Sequence, residues 1–137
     1  MSEDIGAVLP PPLRFELGAH PSGEAAKATL LMTTDGDGMS RVAVLAAAEL
    51  KVSDGSHIML RLHDGSSTCA NIKRTGQAAL WYVLDAAAYC IRGSVTRAAS
   101  KPSDEGFESF ELTITSVLRD FNPDGPMVSG PTYRRLQ

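Results

Sequence analysis

The chain has 137 residues, which predicts a single domain large enough to bury a core without disulfides or metal. A net charge of -3 argues against a general nucleic-acid binder, because neutralising phosphates requires a basic surface. The sequence has neither a run of ~20 apolar residues, which could span a membrane, nor a signal-peptide pattern at its acidic start, so it predicts a cytoplasmic protein without a membrane partner.

The two ends of the chain predict less regular structure than the middle. Residues 1–26 are expected to form an N-terminal extension, in which the three prolines at 10–12 favour extended polyproline geometry and residues 22–27 allow one helical turn. Residues 119–137 contain three further prolines and predict an irregular C-terminal tail. Both segments are assigned to one domain, 1–137.

Apolar and polar patterning predicts six strands, at 28–34, 40–50, 57–62, 78–84, 89–97 and 107–118. The sequence Asp35-Gly36-Asp37-Gly38 predicts a tight hairpin between the first two, because glycine and aspartate tolerate positive φ. Gly93 predicts a bulge or a close backbone approach within the fifth strand. Short turns between strands favour an antiparallel barrel, and strands that are apolar on both sides predict that a second copy of the chain covers the outer face.

The stretch between the third and fourth strands predicts a short helix with both ends specified. Ser66 or Ser67 can cap its first turn, Lys73 and Arg74 suit its negative C-terminal pole, and Gly76 can end it. Free backbone N–H groups beside hydroxyls at its start could bind a phosphate without a Walker-type loop. An ordinary capped connector helix is the alternative.

The remaining reactive side chains form no recognisable catalytic constellation. Cys69 and Cys90 do not make a disulfide framework, and His20 and His57 lack the spacing of metal ligands, so neither a disulfide nor a metal site is predicted. Arg61 lies in an otherwise apolar strand, where it either reaches a phosphate or extends to the surface.

The order strand, hairpin, strand, turn, strand, short capped helix, strand, strand resembles that of the flavin-binding split barrels, the superfamily of pyridoxamine-phosphate oxidase and the small bacterial FMN-binding proteins. The resemblance covers roughly residues 27–118. Four segments carry it, in the expected order: 31–38 at the first hairpin, 49–58 at the second turn, 68–72 at the helix start, and 91–95 in the strand containing Arg92-Gly93.

The resemblance implies a homodimer that binds FMN and acts as an oxidoreductase on a small-molecule substrate or with a redox partner. It also implies three groups of flavin contacts. These are the backbone of Arg41, Val42, Ala43 and Val44 along the ring and ribityl chain; Leu60, Arg61, Leu62 and His63 on the adjoining wall; and Ser66, Ser67, Thr68 and Asn71 at the phosphate.

The sequence departs from the family pattern at Ser67, where relatives usually carry a lysine or arginine just before the threonine. A phosphate there loses a charge-assisted contact, unless Arg41, Arg61 or Lys73 supplies one. Two alternatives therefore stand beside the enzyme. The chain is a non-catalytic flavin electron carrier, or it is a split-barrel dimer that has lost FMN and binds another ligand.

Overall fold

A computed structural model describes residues 1–19, 23, 25–99 and 104–136. Within them the chain forms two α-helices and ten strands. The helices are α1 (Pro11–Glu16) and α2 (Ser67–Thr75). The strands are β1 (Ser2–Asp4), β2 (Ala25–Lys27), β3 (Thr29–Thr34), β4 (Ser40–Leu45), β5 (Leu50–Asp54), β6 (His57–His63), β7 (Gln77–Leu84), β8 (Ala87–Arg97), β9 (Phe107–Asp120) and β10 (Thr132–Arg134). Neither helix of the described residues is long and apolar enough to cross a membrane.

The main sheet is antiparallel and has the strand order β4-β3-β7-β8-β9-β6-β5, with β1 added alongside β9. It curls so that one face of each strand points inward, and this face supplies a core of fully buried side chains that includes Leu31, Leu80, Ile91 and Phe110. The predicted mainly β split barrel, with one short helix between the third and fourth predicted strands, is confirmed.

The predicted second strand, 40–50, is wrong in one respect, because the chain turns in its middle. β4 ends at Leu45, and a 3-10 turn (Ala47–Glu49) separates it from β5. The Glu49 carboxylate accepts a hydrogen bond from the Ala46 backbone N–H at 3.2 Å, which satisfies a donor that leaves the strand ladder. The apolar pattern runs through the alanines without interruption, so it gives no sign of this turn.

The prolines at 10–12 do not form the predicted extended run. Only Pro10 is extended, and the next two open α1 at positions where a missing N–H costs nothing. Leu9, Leu13 and Leu17 recur at helical spacing and are all buried in the barrel core. This burial fixes the helix, because α1 packs its leucine side into the hydrophobic core.

The segment before the first predicted strand is held by the C-terminal tail. Ala25–Lys27 is strand β2 rather than the end of a helical turn, and it pairs antiparallel with β10 in the tail. Residues 22 and 24, the rest of that predicted turn, lie outside the described residues, as does His20. The Tyr133 hydroxyl of β10 accepts a hydrogen bond from Ala47 N at 3.3 Å, so the tail also braces the 3-10 turn.

Candidate functional site

Helix α2 begins and ends where the sequence predicts. The Ser66 hydroxyl caps it by accepting a hydrogen bond from Cys69 N at 3.1 Å, and Gly76 ends it in the left-handed conformation with φ 66°. Ser67 is exposed at the first helical position, whereas Thr68 is buried. The first turn therefore presents one hydroxyl to solvent and holds another against the barrel.

The centre of the candidate site is a carboxylate that the sequence assigns only to a turn. Asp35 follows β3, and its Oδ1 accepts hydrogen bonds from Arg41 Nε and from Asn71 Nδ2, each at 2.7 Å. These bonds hold the pKa of Asp35 below its ordinary value, and the bond from Arg41 has the larger effect. Arg41 and Asn71, two residues assigned to the flavin by the resemblance, thus meet at one oxygen atom.

Asn71 is buried, and its whole amide is engaged. Its Nδ2 also donates to the Thr33 hydroxyl at 3.1 Å, and its Oδ1 accepts from Arg74 Nη1 at 3.1 Å. Arg74 in turn donates to the carbonyl oxygen of Thr34. Two arginines, an amide and a hydroxyl are therefore collected where α2 lies against the end of β3; we call Asp35, Arg41, Asn71, Thr33 and Arg74 the mouth cluster.

A cavity of about 440 Å³ meets the mouth cluster at Thr33, and most of its other lining residues lie on the outward side of the sheet. Its wall is rich in hydroxyls, with one guanidinium and one amide: Met32, Thr33, Thr34, Ser40, Gln77, Ala78, Ala79, Arg92, Gly93, Ser94, Thr115 and Ser116. Arg92 Nε donates to the Ser116 hydroxyl at 3.0 Å. Such a lining suits a polar, hydroxyl-bearing ligand better than a hydrocarbon.

The four predicted flavin contacts on β4 divide between its two faces. Arg41 and Ala43 lie on the inward face, where they pair with Thr33 and Leu31 of β3. Val42 and Val44 lie on the outward face and are more than half exposed. Only the first pair is therefore on the face of the mouth cluster.

The predicted wall on β6 divides in the same way. Leu60 and Leu62 are core residues, whereas Arg61 and His63 point to the opposite face of the strand. There the guanidinium of Arg61 lies 3.9 Å from the centre of the Phe107 ring and pairs with Asp104 at 3.2 Å. His63 packs on the same ring at 4.7 Å. Arg61 and His63 form a second group, separate from the mouth cluster.

Lys73, the third cation considered for the phosphate, forms an ion pair with Glu108 instead. Its Nζ lies 2.6 Å from Glu108 Oε1, and Arg97 contacts the other carboxylate oxygen at 3.3 Å. The hydrogen bond from Lys73 and another with Asp64 lower the pKa of Glu108. This network fastens α2 to β8 and β9, so the cations that remain beside Asn71 are Arg41 and Arg74.

Sequence reasoning missed Asp35, Thr33 and Arg74 as members of the site. The hairpin register offered one signal, since pairing Thr34 with Ser40 places Thr33 opposite Arg41 on the inward face. The hydrogen bonds from Asn71 of α2 to Thr33 and Asp35 offered no sequence signal, because they join residues more than 30 positions apart in the chain.

The comparisons with known proteins give structural matches only, since no protein-family model and no curated protein matches the sequence. A putative pyridoxamine 5'-phosphate oxidase from Lactobacillus delbrueckii superposes with a TM-score of 0.67 at 16% identity, covering 83% of this chain and 97% of that one. HupZ from Group A Streptococcus gives 0.63 at 10% identity, with 81% and 98% covered. An F420 reductase gives 0.55 at 15% identity, with 72% and 98% covered.

These structures are matched over almost their whole length, at identities that establish a shared fold and leave the activity open. The similarity agrees with the strand order and with the position of α2 between β6 and β7. The chain therefore has the split β-barrel fold of these structures, among them a putative pyridoxamine 5'-phosphate oxidase.

Proposed function

We propose that the chain binds FMN and uses it in an oxidoreductase reaction on a small molecule. The observation that carries this proposal is the mouth cluster, in which Arg41 and Asn71 converge beside a hydroxyl-lined cavity on a split barrel. A putative pyridoxamine 5'-phosphate oxidase and an F420 reductase with the same fold support a redox role.

The residues present have the chemistry that FMN requires. Guanidinium and amide N–H groups are strong donors to phosphate oxygens, and the Ser67 and Thr68 hydroxyls can add further bonds at the start of α2. The hydroxyls of the adjoining cavity are suitable partners for a ribityl chain. Arg41 and Arg74 together would supply the positive charge that the family places at the position of Ser67.

In the proposed role the protein binds and orients, while the cofactor carries the redox chemistry. FMN, when bound, supplies hydride or electron transfer at its N5 atom. Arg41 and Asn71 would hold the phosphate and so fix the position of the rest of the flavin.

A second copy of the chain would complete the site. One row of neighbouring side chains crosses the outer face of five strands and is apolar throughout, namely Val44, Leu30, Trp81, Cys90 and Leu118. Val44 is 62% exposed and continues this apolar row, and a contiguous exposed apolar patch is typical of a protein interface. We therefore expect a homodimer through this face. Val44→Lys should give a monomer in light scattering after gel filtration, while Val128→Lys, the same change at an exposed valine in the C-terminal tail, should not.

The absorption spectrum of the purified protein tests the proposal first. Two oxidised-flavin bands that remain with the protein through gel filtration after FMN is added would support it, and loss of all added FMN would refute it. Thr68→Val and Asn71→Ala should each raise the dissociation constant of FMN at least about tenfold, since each removes a polar contact from the phosphate. Thr96→Val, the same change at an exposed position, should leave the affinity unchanged.

Two measurements address the alternatives: a turnover assay tests for an electron carrier, and the absorption spectrum tests for a barrel without flavin. Steady oxidation of a reduced nicotinamide by oxygen in the presence of bound FMN would favour the enzyme over the carrier. The exposed Ser67 and the engagement of Arg41 by Asp35 favour the third possibility, a barrel for another anionic ligand. A protein that does not retain FMN would place that possibility first.

A further inference from the structure

The mouth cluster already contains an anion. The Asp35 carboxylate accepts hydrogen bonds from the side chains of Arg41 and Asn71, and Arg74 lies close enough to favour its charge. These are the groups that the proposed function assigns to a phosphate. Carboxylate and phosphate oxygens bind guanidinium and amide donors with the same geometry, so a phosphate cannot use Arg41 Nε or this Asn71 N–H while Asp35 holds them.

The carboxylate is firmly placed rather than loosely solvated. Asp35 has only 26% of its side chain exposed, against 46% for Arg41, and its backbone N–H is bonded to Met39 O at 2.8 Å in the hairpin turn. A ligand phosphate would therefore meet a negative charge held by the fold. To bind, it must displace the carboxylate from Arg41 or lie beside it and be repelled.

We infer that Asp35 is an affinity-determining residue that competes with the ligand phosphate for Arg41 and Asn71. This inference rests on the proposed function, because it concerns the same anion site. Asp35 makes the binding of a phosphate-bearing flavin weaker and more readily reversible than the donors alone would allow. It has no such effect on a flavin without a phosphate, which does not call on these donors.

The neighbouring Asp37 provides a matched control. It lies in the same turn and carries the same charge, but its Oδ1 accepts from the Met39 backbone N–H at 3.0 Å. Asp35→Asn and Asp37→Asn thus remove one negative charge each from one hairpin, and both retain an oxygen acceptor. A difference between them reports contact with the donors rather than net charge.

The experiment measures dissociation constants of FMN and riboflavin by flavin fluorescence for the wild type and both variants, with circular dichroism to confirm folding. Asp35→Asn should lower the dissociation constant of FMN by about tenfold or more, which is the contribution of a charged hydrogen bond. It should leave the dissociation constant of riboflavin unchanged. Asp37→Asn should change FMN by less than about threefold, as for a screened surface charge. Equal effects of the two variants, or weaker FMN binding by Asp35→Asn, would overturn the inference, the latter by showing that Asp35 positions Arg41 for the ligand.

A second readout separates failure of this inference from failure of the proposed function. If neither flavin binds any variant, FMN binding is refuted. The inference is then decided by the rise in melting temperature that inorganic phosphate produces at constant ionic strength. A larger rise for Asp35→Asn than for Asp37→Asn supports competition for the anion site, and an equal or smaller rise overturns it.

Discussion

Replacing Gly93 by alanine should destabilise the barrel more than any other single methyl addition at a glycine with ordinary backbone angles. An added Cβ would lie 2.3 Å from the Thr113 carbonyl oxygen and 2.8 Å from Leu112 Cδ2, well short of the 3.0 Å that real Cβ contacts require. The side chain of Leu112 can rotate away, but the carbonyl belongs to β9. Relief therefore requires the two strands to separate.

The strands have little freedom to do so. β8 is bonded to β7 as well as to β9, and β9 is bonded to β6 on its far side, so a local shift must be transmitted through the sheet. Overpacked core sites cost about 1–3 kcal/mol, and a backbone clash belongs at the upper end of that range. We expect Gly93→Ala to lose about 3 kcal/mol, and the melting temperature to fall by roughly 10 °C.

Urea unfolding followed by circular dichroism measures this loss. Gly125→Ala is the control, because nothing lies within 4 Å of a Cβ built there and its φ is not left-handed. The control should change stability by less than about 0.5 kcal/mol. If Gly93→Ala were as stable as the control, the close approach of β8 to β9 at the bulge would be wrong.

Two further predictions concern helix α1 and acid stability. Leu13→Ala should cost about 2–5 kcal/mol in the same unfolding assay, since this α1 side chain is fully buried, whereas Phe15→Ala on the exposed side should cost almost nothing. Glu108 has a lowered pKa because Lys73 bonds it, so its stabilising effect is present above pH 4.5, its ordinary pKa, and is lost as the pH falls through the lower folded value. Glu108→Gln should therefore make the free energy of unfolding less dependent on pH below 4.5. Glu105→Gln, at an exposed turn, should leave that pH dependence unchanged. If Glu108→Gln also left it unchanged, the ion pair would be refuted.

The parts of the fold that the sequence predicts well are those set by neighbouring residues. The cap at Ser66 and the left-handed Gly76 locate α2, and the Asp-Gly turn locates the first hairpin. Gly93 marks a bulge because only glycine has room there. In each case the chemistry of one or two residues decides the local backbone geometry.

The parts that it does not predict depend on contacts between distant segments. The turn after Leu45 is braced by Tyr133 from the tail, and the start of α1 is settled by the burial of Leu13 in the barrel. Local pattern alone favoured a continuous strand in the first case and an extended segment in the second. Tertiary burial outweighs both preferences.

The same division holds for the candidate site. The family resemblance assigned Asn71 to the phosphate and named Arg41, with Arg61 and Lys73, as a cation that could replace the missing basic residue. That Arg41 and Asn71 meet at one oxygen atom required three-dimensional information. Asp35 was assigned to the turn because aspartate favours turns, and nothing nearby in sequence indicates that its carboxylate reaches α2. Whether these residues contact a flavin stays a prediction, and the binding measurements above address it.

The position of β9 in the sheet has a consequence for biosynthesis. It lies between β8 and β6 and so joins a group of strands from both early and late parts of the chain; Ile58, for example, is paired with Leu112. During translation β5 and β6 are synthesised before β9. Until then their apolar faces have no partner, and non-local pairing of this kind forms slowly. The barrel therefore cannot close until β9 has been synthesised, so closure is a late step in the folding of the chain.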